Sequence, residues 1–597
     1  MPYFIGFDLE TKGDFDGYAL QPCRLPRYEA RITSCAFVSQ QQGTLLAKLN
    51  PEPKLLQDEL HIIECFGDNV FIVGWNVLFD IAWLIAAGLE EEVRKLRWLD
   101  GMVLMRMAFN DTSLSKSYSL KEAVREFLSE FADYEKGVDL THVDDTLLKY
   151  NTMDAELTVR LAKIFWDKLS DRQRNLASLI SEASVPLAAA WLEGLSIDRN
   201  AFLKWERDLS VSANESFATL NRLTGTAYPD KLLKALNSPK KLKGILKILG
   251  FNVASVDRST LSRIRGDETV DAIASFRQAS SMTSKFVDPI RSSIEYNKCD
   301  KTYPAPRIWN TYTGRFGYRS KTLRKYQSGI SIHQLPRDKA ARNCICSPQG
   351  YLLAEFDFKQ QESRLLCDFS EDPVLQKIFN DNLDFHSYMG AIIANQSYDD
   401  FVKSPDSARY RQLAKVVNLA CAYRTGWSRL VDVARTQFGV DIDSMTAQML
   451  HSLFRTTYKN VPHYWDYAIE AAQKRGYAES RGGRRVYLED WSIENTWQAE
   501  STAINFPIQA TGADMKCLAI SSVDKILYEN GGKYLFDLHD ALFCLVPDSS
   551  KGYDLAKHLN GVLSDLPYYE AFGWLPLVRL PVDGQIGHNW GTLEGIK

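Results

Sequence analysis

The sequence has no long hydrophobic run. Its longest apolar stretches, such as Val70–Val73 and Ala82–Ala87, are cut short by Gly, Asn or Asp, well below the ~18 residues that a membrane span requires. The opening segment MPYFIGFDLETKGDFD has neither a basic region nor an apolar one after it, so no secretory leader is expected. Paired cysteine spacing is also missing. The ten cysteines are scattered, and Cys344-x-Cys346 stands without a second ligand cluster. They read as reduced thiols of a cytosolic protein rather than a disulfide frame or a zinc site. There is no internal repeat, no low-complexity tract and no excess of positive charge; the formal net charge is −4. That balance excludes a uniformly basic coat but not a basic groove.

The 597 residues, 45% hydrophobic and 24% charged, suffice for about four compact units. Positive charge is local. Residues 301–342 carry ten Lys/Arg against one acid, Asp338, and residues 231–247 carry six Lys and no acid. In the first stretch Tyr303, Trp309, Tyr312, Phe316, Tyr318 and Tyr326 interleave the cations. Phosphate contact combined with base stacking calls for that mixture.

Residues 1–50 read as strands and turns, 54–66 and 78–97 as helices around the strand VFIVGWN, and 144–169 as a long helix. This alternation predicts a self-contained α/β unit to about residue 170. Helical patterning dominates 176–300, where Asn237-Ser238-Pro239 starts a helix that Gly250 stops. Residues 350–368 read as strand then helix, 385–475 as mostly helix, and 499–528 as helix before a strand pair.

Two groups of carboxylates carry chemistry. In FDLET, Asp8 and Glu10 are two apart on a strand and share a face. Asp80 begins an apolar helix in NVLFD, and Tyr150 and Asp154 in YNTMD share a helical face. Four acids so arranged suit two divalent ions on an in-line phosphoryl displacement, with Tyr150 orienting the attacking water. The second group lies at strand tips. YLLAEFDF ends in Asp357, and LFDLHDALFCLV places Asp540 between two apolar strands. A carboxylate in such surroundings needs a compensating cation, and a metal ion shared by Asp357 and Asp540 would provide it. Between them, Arg411, Lys415, Leu419 and Tyr423 recur every four residues and form one helical stripe. Its cations suit a triphosphate and its aromatic end suits a base.

The order Asp-x-Glu, Asn-x-x-x-Phe-Asp, Tyr-x-x-x-Asp resembles the DEDD-type 3′–5′ exonucleases of the tyrosine subtype. The Asp357, Arg411–Tyr423 and Asp540 segments resemble motifs A, B and C of family A DNA polymerases. Thr313-Gly314-Arg315, HQLP at 333–336, Asn505–Gln509 and LNSPKKLKGIL agree with that family.

The resemblance implies an α/β multidomain chain: an RNase H-like proofreading exonuclease (1–175), connecting helices and thumb (176–300), palm (301–384 and 499–597) and fingers (385–498). It implies template-directed DNA synthesis, two Mg²⁺ per active site with Mn²⁺ as a substitute, and primer–template DNA and dNTPs as partners. Asp8, Glu10, Asp80 and Asp154 would bind one metal pair with Tyr150 assisting. Asp357, Asp540 and the Phe358 carbonyl would bind the other. Arg411 and Lys415 would hold the triphosphate, with Lys415 protonating the leaving group. Glu362 would exclude a 2′-OH, Tyr423 would border the nascent base pair, and Leu419 would line the dNTP site where the family usually has Phe or Tyr. Arg315, Asn505, Gln509 and His539 would contact primer and template. Gln360 and Arg364 match further motif A positions.

The chain departs from the family at Leu419, Ala420, Arg424, Ser501 and Ala541, none of them a principal ligand. Because the exonuclease pattern begins at residue 4, no 5′-nuclease domain is expected. That favours a phage replicase in the host cytoplasm, working with a helicase, a single-strand binding protein or a processivity factor. The alternative is a 3′–5′ exonuclease with a polymerase-like DNA-binding platform.

Overall fold

The computed structural model describes residues 2–12, 30–111, 117–139, 142–225, 228–257, 260–261, 264, 266–319, 329–488, 490–492 and 494–596. Residues 320–328, which hold part of the basic stretch, lie outside the described residues.

The N-terminal unit is built on five strands in the order Gly43–Leu49, Arg31–Ser39, Tyr3–Lys12, Val70–Gly74, Trp98–Asp100. The first two pairings are antiparallel and the last two parallel. The central strand is buried on both faces by Phe4, Ile5, Phe7 and Leu9, the apolar pattern of a sheet covered on each side. The helix Asp145–Lys168 starts where Asp144 caps the amides of Thr146 and Leu147. It lies directly on the Asp8 strand at Gly6, where an added Cβ would sit 2.1 Å from the Ala155 carbonyl.

One expectation fails here. Residues 78–97 form two helices, Leu78–Ala86 and Glu90–Lys95, because Gly88 at φ +91° turns the chain between them in a region that favours glycine. The Trp98–Asp100 strand that follows was not foreseen.

The second sheet is wholly antiparallel, in the order Lys533–Leu538, Ala541–Pro547, Tyr351–Phe358, Val582–Gly587, Glu594–Gly595. It pairs strands more than two hundred residues apart in sequence. Helix Thr496–Glu529 packs against it, and the helices from Phe385 to Arg475 join that helix through Asn460–Arg475. Helices Arg199–Thr224 and Glu268–Met282 run together on the other side. One apolar core runs continuously from Phe4 in the first sheet to Ile586 in the second. A small separate core closes residues from Leu220 to Phe276.

Candidate active sites

Asp8, Glu10 and Asp154 converge, with one carboxylate oxygen from each within 4.8 Å of the others. Strand alternation puts the first two on one face, and the helix seated at Gly6 brings the third over them. Asp80 is not among the three but is buried and near enough for its charge to raise Asp8. Burial and neighbouring acids raise its pKa, while the Leu9 amide holds its carboxylate from the strand side. Burial first, then the charges of Asp154, Asp80 and Glu10, push Asp8 well above the ordinary range. Burial and Asp154 push Glu10 to about 7. Burial lifts Asp154 to about 6 against the phenols of Tyr134 and Tyr150.

Oxygen ligands that repel one another are the donor set of a hard divalent cation. Asp154 Oδ1 is buried with no hydrogen-bond partner, so the residues fit Mg²⁺. Tyr150 stands beside Asp154, its ring 5.9 Å from that of Tyr134 and nearly parallel to it.

The second cluster sits on the antiparallel sheet. Asp357 pairs with Ala541 on one side and Asp583 on the other. Asp540 lies in the two-residue turn between Leu538 and Ala541, with His539 at φ +54°. The Phe358 amide donates to the Asp540 carbonyl at 3.4 Å, which ties the two tips together. Burial, then the charges of Asp540, Glu355 and Asp583, raise Asp357 to about 7. Burial likewise raises Asp540. These oxygen donors also fit a divalent cation, with the Phe358 carbonyl beside them.

The structure supplies a cation for Asp540 that sequence reading missed. Lys516, buried in helix Thr496–Glu529, bonds Asp537 Oδ2 at 2.7 Å and lowers the pKa of Asp540. Asp537 is fully buried. Its Oδ1 accepts from the phenols of Tyr318 (2.8 Å) and Tyr534 (3.1 Å). The signal in the sequence was a lone lysine in the apolar run ADMKCLAI.

The cations of the predicted stripe stand on helix Ser407–Cys421, packed against helix Phe385–Ile393. Arg411 lies in a bidentate pair with Asp384 at 2.9 and 3.0 Å, and Lys415 is half-buried one turn on. Asp384 and the buried His386 were also missed. Burial first, with Arg411 and Lys415 nearby, lowers His386 to about 4. Leu419 is exposed on the same helix.

Tyr423 is not on the helical stripe, because the helix ends at Cys421. Its hydroxyl instead donates to Glu362, whose other oxygen accepts from Arg315. Leu419, Tyr423, Arg424, Ser501 and Asn505 line a cavity of about 620 Å³. Arg424, left-handed at φ +59°, bridges to Glu500 at 2.7 Å. Asn505 donates to Ser501 Oγ at 3.2 Å and keeps a buried, unpartnered Oδ1. Gln509 is half-buried one turn further along the helix. His539 packs edge-on to His333, ring centres 6.4 Å apart. Gln360, at φ +50°, starts the helix after the Asp357 strand. Arg364 bonds the Lys359 and Arg579 carbonyls.

The model of DNA polymerase family A matches residues 207–592. DNA polymerase I of Pseudomonas aeruginosa is 27% identical over 466 residues, 74% of this chain and 47% of that protein. The thermostable DNA polymerase I of Thermus aquaticus is 25% identical over 73% of this chain and 51% of its own length. The chain thus spans about half the length of these curated relatives. DNA polymerase I of Borreliella burgdorferi is 21% identical over 99% of this chain and 62% of its own. Among solved structures, the POL domain of Pol1 from M. smegmatis, in complex with DNA primer-template and dNTP, has a TM-score of 0.77 at 18% identity. That likeness covers 99% of this chain and 96% of the other.

Proposed function

This chain belongs to DNA polymerase family A, and on that premise we propose that it is a template-directed DNA polymerase carrying its own 3′–5′ proofreading exonuclease. The observation that carries the reading is the joining of the Asp357 and Asp540 tips, with Glu362, held by Arg315 and Tyr423, close enough for its charge to act on Asp540. The five-stranded N-terminal sheet with its three converging acids supports an RNase H-like exonuclease over residues 1–175. The second sheet is the palm, the helices of 385–498 the fingers, and those within 176–300 the thumb. Primer–template DNA and dNTPs are the partners. Phage replication in a host cytoplasm, with replisome proteins, belongs to the same reading.

Mg²⁺ held by Asp357, Asp540 and the Phe358 carbonyl, and by Asp8, Glu10 and Asp154 with Asp80 near them, supplies charge stabilisation for in-line phosphoryl displacement. The rest falls to the chain's own side chains. Arg411 exchanges its bond to Asp384 for the triphosphate, where its planar fork suits phosphate oxygens. Lys415 bonds the same group and gives a proton to the departing pyrophosphate. Glu362, pinned by Arg315 and Tyr423, stands under the sugar and blocks a 2′-OH. Leu419 and Tyr423 wall the nascent pair. Arg315, Asn505, Gln509 and His539 meet the edge of the primer–template duplex. In the N-terminal unit, Tyr150 orients the water that attacks the terminal phosphodiester.

The test is extension and degradation of a labelled primer on a DNA template. Asp540→Asn is expected to abolish extension and keep 3′ degradation. Asp8→Ala with Glu10→Ala is expected to do the reverse. Degradation without extension by the wild-type chain would leave an exonuclease on a non-catalytic platform.

A further inference from the structure

The loop that carries Arg315 is held by the N-terminal unit. Helix Gly101–Phe109 begins at Asp100, which also caps the amides of Asn76 and Val77 ahead of the Asp80 helix. From its far end, Arg106 Nη1 donates to the Trp309 carbonyl at 2.7 Å. Asn110, 2% exposed, bridges the carbonyls of Tyr312 (2.9 Å) and Arg485 (2.8 Å). The Asn110 carbonyl in turn accepts from the Tyr487 amide at 2.9 Å. Both side chains are therefore spent on backbone that lies about two hundred or more residues away in sequence.

The segment they grip is closed and strained. Trp309 sits at φ +57°, a conformation that a bulky residue holds only when its surroundings fix it. Its ring lies under the Arg484 guanidinium, 4.0 Å away. The Asn310 amide donates to the Arg315 carbonyl at 2.8 Å, and the Gly314 amide to the Thr311 carbonyl at 2.9 Å. A Cβ at Gly314 would lie 2.2 Å from the Arg484 guanidinium. The loop has no slack, and at its end Arg315 reaches Glu362. A shift at residue 309 or 312 is thus transmitted to Arg315 and to the carboxylate beneath the incoming sugar.

We propose that Arg106 and Asn110 are positioning residues for the polymerase site: they set Arg315 and Glu362 from the exonuclease side of the molecule. This rests on the proposed function. It makes primer-end selection at the second sheet depend on two side chains of the first unit that bond protein backbone.

The experiment measures extension of matched and mismatched 3′ ends with Mg²⁺ and dNTPs by the full chain carrying Asp8→Ala and Glu10→Ala, so that excision cannot restore a matched end, and hydrolysis of a single-stranded oligonucleotide by the same variants with Asp8 and Glu10 intact. Arg106→Met is expected to lower the matched-to-mismatched ratio of kcat/KM about tenfold, the scale of one lost hydrogen bond. Hydrolysis should stay within about twofold, since Arg106 lies outside the Asp8 cluster. Arg106→Lys, which keeps a donor, should recover most of the ratio, and Asn110→Ser should act as Arg106→Met does. Adding Arg315→Ala to Arg106→Met should cost less than the product of the single effects.

An unchanged ratio, strictly multiplicative effects, or equal losses of extension and hydrolysis in both variants would overturn the inference. A wild-type chain that extends no primer would overturn the polymerase reading itself, and this inference with it.

Discussion

A carboxylate whose folded-state pKa is raised holds a proton that the unfolded chain has already released. Glu10 and Asp357 both sit near 7, Glu10 through burial and Asp154, Asp357 through burial and Asp540. Between their ordinary values and about 7, stability therefore falls as pH rises. A divalent cation replaces the lost protons only where the acids are ionised. The gain in Tm on adding Mg²⁺ should accordingly be larger at about pH 8 than at about pH 5.5. In chelator at the higher pH, Asp8→Asn should raise Tm by removing one repelling charge. A pH-independent Mg²⁺ gain in thermal melts would contradict this. Arg424 poses a different balance. Its left-handed backbone costs about 1 kcal/mol, and its half-exposed bridge to Glu500 contributes about as much or less. Arg424→Gly should therefore leave the urea midpoint nearly unchanged while cutting dNTP affinity, read as KM, if the bridge shapes the cavity beside Tyr423.

At the scale of elements, the Asp540 hairpin depends on the helix behind it. Lys516→Met leaves Asp537 charged, buried and without its cation, which should cost about 3–5 kcal/mol in urea unfolding. Adding Asp537→Leu should restore much of that loss, because a neutral pair carries no desolvation penalty. Failure of the second change to rescue stability would mean that Tyr318 and Tyr534 carry the site instead. This pair also marks where sequence reading stops. Asp8, Glu10, Tyr150 and Asp154 were legible because period-two and period-3.6 spacing fix their faces. Asp357 and Asp540 were legible because a charge at the tip of an apolar strand stands out. Lys516–Asp537 and Arg411–Asp384 were not, since each is made when separate elements pack. Tyr423 was assigned to a helix that ends two residues before it, and the Gly88 break was hidden by good helix formers on both sides.

For the whole molecule, the continuous core from Phe4 to Ile586 predicts that the N-terminal unit and the second sheet unfold together. The separate core between Leu220 and Phe276 should open first. Hydrogen exchange should show its amides protected less than those of helix Asp145–Lys168, and calorimetry should resolve a smaller early transition. One concerted transition with uniform protection would contradict that division. The logarithm of the DNA-binding constant should fall linearly with the logarithm of salt concentration, as phosphate contacts dictate; a flat salt response would mean that the basic stretch 301–342 makes no phosphate contacts.

The close seat of helix Asp145–Lys168 on Gly6 has a consequence for how related genomes are read. A descendant with a larger residue at position 6 would push that helix away and carry Asp154 off with it. Such a chain would keep every acidic letter of the motif while losing the cluster of Asp8, Glu10 and Asp154, and on the proposed proofreading reading its copying errors would rise. An inventory that scores only the carboxylates would count it as a faithful copier, so position 6 belongs in any survey that infers fidelity from sequence.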